Sequence, residues 1–259
     1  MKKARDILIY FSYKYNGDYN DILKALKKKE KIDELLYEEF QTKWETKEVI
    51  TIIDENYPEV FKAINFPPIV LYLKGDKTLL DDLTKSIAII GAREHSKYGE
   101  EMTRTITEEL AREKFTVVSG LARGIDSFAH HSALSVGGKT IAVLGSGIDY
   151  IYPLSNRELY EQIVKSGLIV SEYPEFTKPQ PEFFKFRNRL IAALSEAVLI
   201  TEAKYKSGTL ITVGYALEKG NDVYCIPHLA TKSSGCNKLI KDGAYLVESA
   251  KDIINLWSN

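Results

Sequence analysis

Short apolar runs that alternate with amphipathic helical stretches predict an α/β protein built on a doubly wound, mostly parallel sheet. From residue 86 onward the runs are rich in Ile and Val and apolar at nearly every position. Such runs are typical of strands that helices cover on both faces. The stretches between them carry apolar residues at helical spacing, for example Met102, Ile106 and Leu110. Seven strands are predicted, at Ile87–Ile90, Thr116–Val118, Thr140–Leu144, Leu168–Val170, Val198–Thr201, Val223–Ile226 and Tyr245–Val247.

The chain ahead of this pattern divides into two parts. Residues 1–45 are predicted to form a small helical module, because apolar residues recur at helical spacing and Gly17-Asp18 interrupts the first helices. A packing role for this module is favoured over a specific binding role. Residues 46–85 are predicted to be a linker with edge elements, since prolines such as Pro58 disfavour helix at the preceding residue. Residues 86–259 form the predicted Rossmann-like domain.

Composition excludes several classes of protein. Hydrophobic residues make up 44% and charged residues 27% of the 259 residues, as in ordinary globular proteins. No apolar run approaches the roughly 18 residues of a membrane helix, and no signal-peptide pattern opens the chain, so the cytoplasm is the expected location. Two cysteines, Cys225 and Cys236, are too few for a disulfide scaffold. With 35 basic and 36 acidic residues, any nucleic-acid site must be a local cluster of cations.

Glycines and cations follow several of the predicted strands. In a parallel sheet, ligands bind beyond the carboxyl ends of the strands, where glycine allows close approach of the backbone. N–H groups that open the following helices favour anions, and arginine or lysine adds phosphate contacts. The relevant loops contain Arg93 after Gly91, Arg123 before Gly124, and Lys206 close to Gly208. A single glycine of this kind serves a tight turn equally well, but the three loops together favour a phosphate-binding edge.

A second informative segment runs from Phe176 to Leu190. It contains four basic residues and one acidic residue, in a chain whose net charge is −1. Three phenylalanines alternate with three cations: Phe183, Phe184 and Phe186 with Lys185, Arg187 and Arg189. Aromatic rings beside cations are typical of single-stranded nucleic-acid sites, where bases stack and cations neutralise the backbone. The alternative is that the phenylalanines belong to the core and the arginines to a solvated helix start.

Two glycine-containing motifs resemble nucleotide-binding sequences without satisfying their requirements. Gly137-Gly138-Lys139-Thr140 precedes a predicted strand, whereas a P-loop follows one and opens a helix. Gly145-Ser146-Gly147 begins like a dinucleotide-binding fingerprint, but Tyr150 replaces its third glycine. The histidines and cysteines have no metal-ligand spacing. We therefore expect no cofactor, no metal and no catalytic residue.

Motifs distributed through the chain match a known family in order and spacing. They are Ile89-Ile90-Gly91-Ala92-Arg93, Ser96-Lys97-Tyr98-Gly99, Ser119–Asp126, Arg187-Asn188-Arg189, Ser207–Thr212 and Gly235–Ile240. From about Tyr57 to Asp252 the chain resembles the DNA-processing (DprA/Smf) family, and its N-terminal helices weakly resemble the sterile-alpha-motif-like domain of some members. The chain departs from the family pattern at Phe183-Phe184-Lys185, where members have His-Phe-Pro, and at Pro227-His228, where they have Pro-Gly.

The resemblance implies a recombination mediator of natural transformation, not an enzyme. Such proteins bind single-stranded DNA, form homodimers and load the RecA recombinase onto the strand. The loops and the resemblance together predict these DNA-binding residues: Gly91, Arg93, Lys97, Gly120, Arg123, Gly124, Phe184, Lys185, Arg187, Asn188, Arg189, Lys206, Ser207 and Gly208. The chain ends at Asn259 without the winged-helix extension of some members, so we do not expect the functions of that extension.

Two alternatives use the same loops. The first is a nucleotide phosphoribohydrolase, but Thr212 stands where those enzymes have the glutamate that serves as general acid and base. The second is a small-nucleotide sensor. A mononucleotide should compete fully with an oligonucleotide only if the protein is a small-nucleotide sensor.

Overall fold

The computed structural model describes residues 2–205, 207–230 and 234–257. Within them, nine strands form one sheet. The strands are β1 (Glu48–Thr51), β2 (Val70–Gly75), β3 (Ser86–Gly91), β4 (Thr116–Ser119), β5 (Thr140–Val143), β6 (Leu168–Ser171), β7 (Ala197–Glu202), β8 (Asp222–Cys225) and β9 (Tyr245–Leu246). Their spatial order is β1-β2-β6-β5-β4-β3-β7-β8-β9.

The sheet is parallel from β6 to β9 in that order and antiparallel at one edge. Neighbouring strands among β3–β9 pair in parallel, whereas β2 pairs antiparallel with β6, and β1 antiparallel with β2. Each of the seven strands predicted from the sequence coincides with one of β3–β9. The predicted doubly wound, mostly parallel α/β fold is confirmed.

Helices cover both faces of this sheet. They are α1 (Ala4–Lys14), α2 (Tyr19–Lys27), α3 (Glu34–Trp44), α4 (Glu59–Lys62), α5 (Lys97–Arg112), α6 (Ile125–Ser135), α7 (Arg157–Ser166), α8 (Pro181–Ala193), α9 (Thr209–Lys219), α10 (Gly235–Lys241) and α11 (Ala250–Trp257). In the described part of the chain, none of them has the length and apolar character that crossing a membrane requires.

The central strand β3 shows how the layers form. Successive side chains of a strand point to opposite faces. Ala88 and Ile90 therefore join one core with α8 and α9, while Ile87 and Ile89 join another with α5 and α6. Because β3 is apolar on both faces, it can occupy only the middle of the protein.

The N-terminal helices pack on the antiparallel edge of the sheet. Phe11 of α1, Tyr72 of β2 and Ile169 of β6 belong to one core. The Tyr72 side chain is fully buried, and its hydroxyl lies 2.9 Å from the Ser12 hydroxyl, to which it donates a hydrogen bond. This edge is therefore covered by helices of the same chain.

The direction of winding changes beside β3. Strands β4, β5 and β6 lie one after another on one side of β3. The chain then crosses by α8 and places β7 on the other side of β3. The loops that follow β3 and β7 therefore diverge, and a crevice opens between them. This crevice is the position at which a doubly wound sheet binds ligands.

Candidate functional site

A cleft of about 790 Å³ occupies this crevice. Eight of the residues predicted from the sequence line it: Gly91, Arg93, Phe184, Lys185, Arg187, Asn188, Ser207 and Gly208. Five others lie outside its lining: Lys97, Gly120, Arg123, Gly124 and Arg189. Lys206 lies outside the described residues.

The floor of the cleft is formed by two buried side chains of opposite charge, Asp126 and Arg187. The Asp126 carboxylate accepts a hydrogen bond from the Gly120 N–H at 3.1 Å, and the N–H groups of Gly91 and Ala122 also stabilise it. Burial raises the pKa of Asp126, while the Arg187 guanidinium and these N–H groups oppose that rise. The N–H groups of the β3 and β4 loops are therefore already satisfied by a carboxylate of the protein itself.

Arg187 completes this floor from α8. Only 4% of the residue is exposed, and its guanidinium donates to the carbonyl oxygens of Gly120, at 2.9 Å, and Val143. Burial lowers its pKa to about 10, so the side chain remains charged at neutral pH. Arg187 holds the ends of β4 and β5 together and places a positive charge beneath the cleft.

Two of the predicted glycines make room for this floor. A Cβ atom on Gly120 would lie 2.6 Å from the Arg187 guanidinium. Gly124 has φ +79°, and a Cβ atom there would lie 2.4 Å from the Ala92 carbonyl oxygen. Both glycines are required for loop packing, which explains why they lie behind the cleft lining.

The N-terminus of α5, where Lys97 lies, is closed by a second carboxylate. Glu202 accepts hydrogen bonds from the Ser96 N–H at 2.9 Å and the Ser96 hydroxyl at 2.8 Å. The Ser96 hydroxyl in turn caps the Gly99 N–H at 3.1 Å. Because Glu202 takes the place that a phosphate would need, this helix end is not free to bind an anion. Lys97 is exposed beside it.

Arg189 does not lie in the cleft, and the expectation that it lines the site is wrong. It follows Arg187 by two residues, which places it about 200° further around α8. The residue is 1% exposed, and its guanidinium makes two 2.6 Å hydrogen bonds to the Glu172 carboxylate. A third hydrogen bond, of 2.9 Å, reaches the Phe66 carbonyl oxygen. Arg189 therefore joins α8 to the rest of the protein as part of a buried ion pair.

The three phenylalanines of α8 also lie in different surroundings. Phe184 lines the cleft. Phe183 is buried against Tyr173, with 4.2 Å between the ring centroids, and Phe186 lies under the Arg189 guanidinium. The alternating pattern thus folds into a helix that presents only Phe184 of the three to the cleft, rather than into one exposed strip.

Exposed cations surround the opening. Arg93 and Lys185, which we call the rim, are both exposed and line the cleft. The Arg93 guanidinium lies 5.5 Å from the centre of the Phe184 ring. Lys204 is also on this side but forms a 2.7 Å ion pair with Glu94. Arg123 is exposed outside the cleft lining. The rim therefore offers positive charge beside an aromatic surface.

The N-terminus of α9 differs from that of α5. Its N-cap residue, Gly208, has no side chain that could cap it, and its first turn carries no acidic residue. Ser207, Gly208 and Thr209 line the cleft at this point, and the buried Ser207 hydroxyl has no hydrogen-bond partner among the described residues. The partial positive charge of this helix end therefore faces the cleft, and no acidic side chain of the first turn of α9 opposes it.

Sequence reasoning missed some residues of this site. Tyr152, in the loop that follows β5, lines the cleft, and its ring centroid lies 5.7 Å from that of Phe184. Nothing in its sequence context indicates this position. The separation of Arg187 from Arg189 was detectable, because Pro181 is a typical first residue of a helix and helical residues two apart do not share a face. Within the described residues, no group of three or more His, Cys, Asp and Glu side chains could hold a metal ion.

Comparison with known proteins gives consistent matches. The model of the DNA recombination-mediator protein A family matches residues 48–258. The Smf protein of Synechocystis is 45% identical over 209 residues, which cover 79% of this chain and 52% of that protein. The DNA processing protein DprA of Streptococcus pneumoniae is 42% identical over 206 residues, 79% of this chain and 72% of that protein. The chain thus spans about half the length of the Synechocystis relative.

Two solved structures have the same fold along most of the chain. The X-ray structure of DprA from Streptococcus pneumoniae superposes with a TM-score of 0.79 and 34% identity, covering 98% of this chain and 93% of that one. A structure described as giving insights into the single-stranded DNA binding mode of DNA processing protein A from Helicobacter pylori has a TM-score of 0.74 and 34% identity. It covers 82% of this chain and 96% of its own.

Proposed function

The chain belongs to the DNA recombination-mediator protein A family, and on that premise we propose that it binds single-stranded DNA in the cleft between β3 and β7. The observation that carries this proposal is the N-terminus of α9, which has glycine at its N-cap and no acidic residue in its first turn and opens into the cleft that the exposed cation Arg93 also lines. The Helicobacter relative supports it, since that protein binds single-stranded DNA. A phosphate group fits the chemistry of this helix end.

Each part of the cleft has a role in this proposal. The Ser207 hydroxyl binds a backbone phosphate at the start of α9, where the partial positive charge of the helix end favours an anion. Arg93 and Lys185 neutralise the neighbouring phosphates of the strand. A base stacks on Phe184, whose ring lies close to Arg93. Contacts of these kinds tolerate any sequence, because phosphates and the faces of bases are common to all nucleotides.

We further propose that the protein acts by holding and delivering the strand, not by catalysis. Asp126 is buried and bound by backbone N–H groups beside Arg187, and Glu94 is paired with Lys204, so both acidic side chains in the described cleft lining are engaged. Delivery to RecA by a cytoplasmic homodimer agrees with the family's description as recombination mediators. RecA strand exchange on DNA coated with single-strand-binding protein tests this step, and a rate unchanged by the protein would contradict it.

Fluorescence anisotropy with labelled oligo-dT tests the binding itself. We expect single-stranded DNA to bind more tightly than duplex DNA of the same length, because stacking on Phe184 needs an exposed base. AMP should compete weakly and should not be hydrolysed. Equal affinity for duplex DNA contradicts the stacking role, full competition by AMP indicates a nucleotide sensor, and release of adenine indicates a hydrolase.

A further inference from the structure

Large apolar side chains are exposed in the loops beyond the carboxyl ends of β5 and β6, and one of them, Tyr152, lines the cleft. Tyr152 and Leu154 follow β5 and are 45% and 65% exposed, and Phe176 follows β6 and is 75% exposed. Single exposed apolar residues are common, but several of them in loops that reach a binding cleft indicate a contact surface.

Tyr152 connects this group to the cleft. It lines the cleft beside Phe184, and the loop that carries it is fixed to the preceding loop by Asn156. The Asn156 amide donates to the Leu121 carbonyl oxygen at 3.0 Å and to the Ser127 hydroxyl at 2.9 Å. Tyr152 is therefore presented by a loop that is anchored to its neighbours.

Phe176 lies on a turn that is also fixed. The Gly147 N–H donates to the Thr177 carbonyl oxygen at 2.8 Å, and the Asp149 N–H donates to the Glu175 carbonyl oxygen at 3.0 Å. These bonds tie the turn to the loop that follows β5. Phe176 is thus exposed on a constrained backbone, and a ring presented in this way loses little conformational freedom when it binds.

The charges around these rings nearly balance. Lys47 and Lys74 pair with Asp149 at 2.9 and 2.8 Å. Within six residues of these rings along the chain, Arg157 and Lys178 are exposed, but so are Glu158 and Glu182. This surface is therefore aromatic without a marked positive charge, unlike the rim.

We propose that single-stranded DNA leaving the cleft passes over Tyr152 and Phe176, which form a second, uncharged base-stacking platform. This inference rests on the proposed function. On its way from β3 to β6 the DNA crosses three spacings between neighbouring β-strands, about 14 Å in total. The platform therefore adds a few nucleotides to those held in the cleft. Because stacking neutralises no phosphate, the platform strengthens binding without changing its salt dependence.

A length series of oligo-dT tests the platform in the full chain. With Phe176→Ala, which lies outside the cleft lining, we expect oligonucleotides that fill only the cleft to bind as in the wild type, whereas Tyr152→Ala should weaken their binding as well, because Tyr152 lines the cleft. Longer oligonucleotides should bind roughly five- to tenfold more weakly to Phe176→Ala and to Tyr152→Ala, with an unchanged slope of log affinity against log salt. Only for Phe176→Ala should this loss be absent with short oligonucleotides. Phe176→Trp and Tyr152→Phe keep an aromatic ring and should restore binding. Leu35→Ala, which removes an exposed apolar side chain on α3, is the control.

The outcomes separate the platform from the cleft. Wild-type affinity for long oligonucleotides in Phe176→Ala, or equal losses at every length, overturns the platform while leaving binding in the cleft intact. A wild-type protein that binds no oligonucleotide overturns both. Melting temperatures of the variants show whether a loss of binding comes from unfolding. If an alanine variant is unfolded, Phe176→Trp and Tyr152→Phe test the platform in its place.

Discussion

The floor and the rim of the cleft both consist of charged side chains, yet they have opposite surroundings. Asp126 and Arg187 in the floor are buried and bound to backbone groups of the loops around them. Arg93 and Lys185 in the rim are exposed. A buried charge must be satisfied within the protein, so its loss destabilises the fold, whereas an exposed charge is available to a ligand. Burial, rather than residue type, decides which cations are available to a ligand.

The largest expected effect is a loss of stability when Arg189 is replaced, because Arg189 is buried like the floor residues Asp126 and Arg187. Arg189→Ala leaves the Glu172 carboxylate buried without its partner, and we expect the free energy of unfolding to fall by about 3–5 kcal/mol. Urea denaturation measures this loss. Lys185→Ala, on the same helix but exposed, should change stability by less than about 0.5 kcal/mol. Equal stabilities of the two variants would remove the distinction between buried and exposed cations.

His130, in α6 behind the floor, gives the floor a pH dependence. Burial, with smaller contributions from His131 and Arg187, lowers its pKa from 6.5 to about 3. Its Nδ1 lies 2.6 Å from the Thr140 hydroxyl, which itself donates to the Val117 carbonyl oxygen, so Nδ1 is the protonated nitrogen. Nε2 has no hydrogen-bond partner among the described residues.

Between pH 6.5 and 3 the unfolded chain therefore binds a proton at this site that the folded chain does not. Stability should fall as the pH decreases through this window, with about 2 kcal/mol lost by pH 5. His130→Gln should lack this part of the acid dependence in urea titrations at pH 7, 6 and 5. An identical pH profile for His130→Gln and wild type would show that His130 is not buried in its neutral form.

At the rim the expected effect is on binding. Arg93→Ala should weaken oligo-dT binding about tenfold, which corresponds to about 1.4 kcal/mol, and lower the salt slope by about 0.7. Arg123→Ala should cost less, about two- to threefold, because Arg123 lies outside the cleft lining. Arg112→Ala removes an exposed cation at the far end of α5 and should have no effect on binding. Losses that rank Arg112 or Arg123 above Arg93 would place the strand elsewhere.

The fold could be predicted from the sequence to a large extent. Strands that are buried on both faces leave runs such as Ile87–Ile90, which neither an amphipathic helix nor a half-exposed strand produces. The same pattern predicted a ligand site beyond the carboxyl ends of the strands, and Arg93, Phe184 and Gly208 line the cleft that lies there. The DNA contacts of these residues remain predictions.

The rest depended on tertiary contacts between distant segments. Nothing near Glu202 in the sequence shows that it caps α5, since its partner Ser96 lies 106 residues earlier. The ion pair of Arg189 with Glu172 could not be predicted for the same reason, because it forms only when α8 packs against the end of β6. Charge alone therefore made Arg189 look equivalent to the cations of the rim.

Photocrosslinking tests the central claim most directly. Oligo-dT carrying a single 5-iodo-deoxyuridine, placed in turn at each position, is irradiated with the protein, and the attached peptides are identified by mass spectrometry. We predict crosslinks to Phe184 from interior positions and to Tyr152 or Phe176 from positions towards one end. Crosslinks confined to the opposite edge of the sheet, for example at Tyr245, would contradict binding in the cleft.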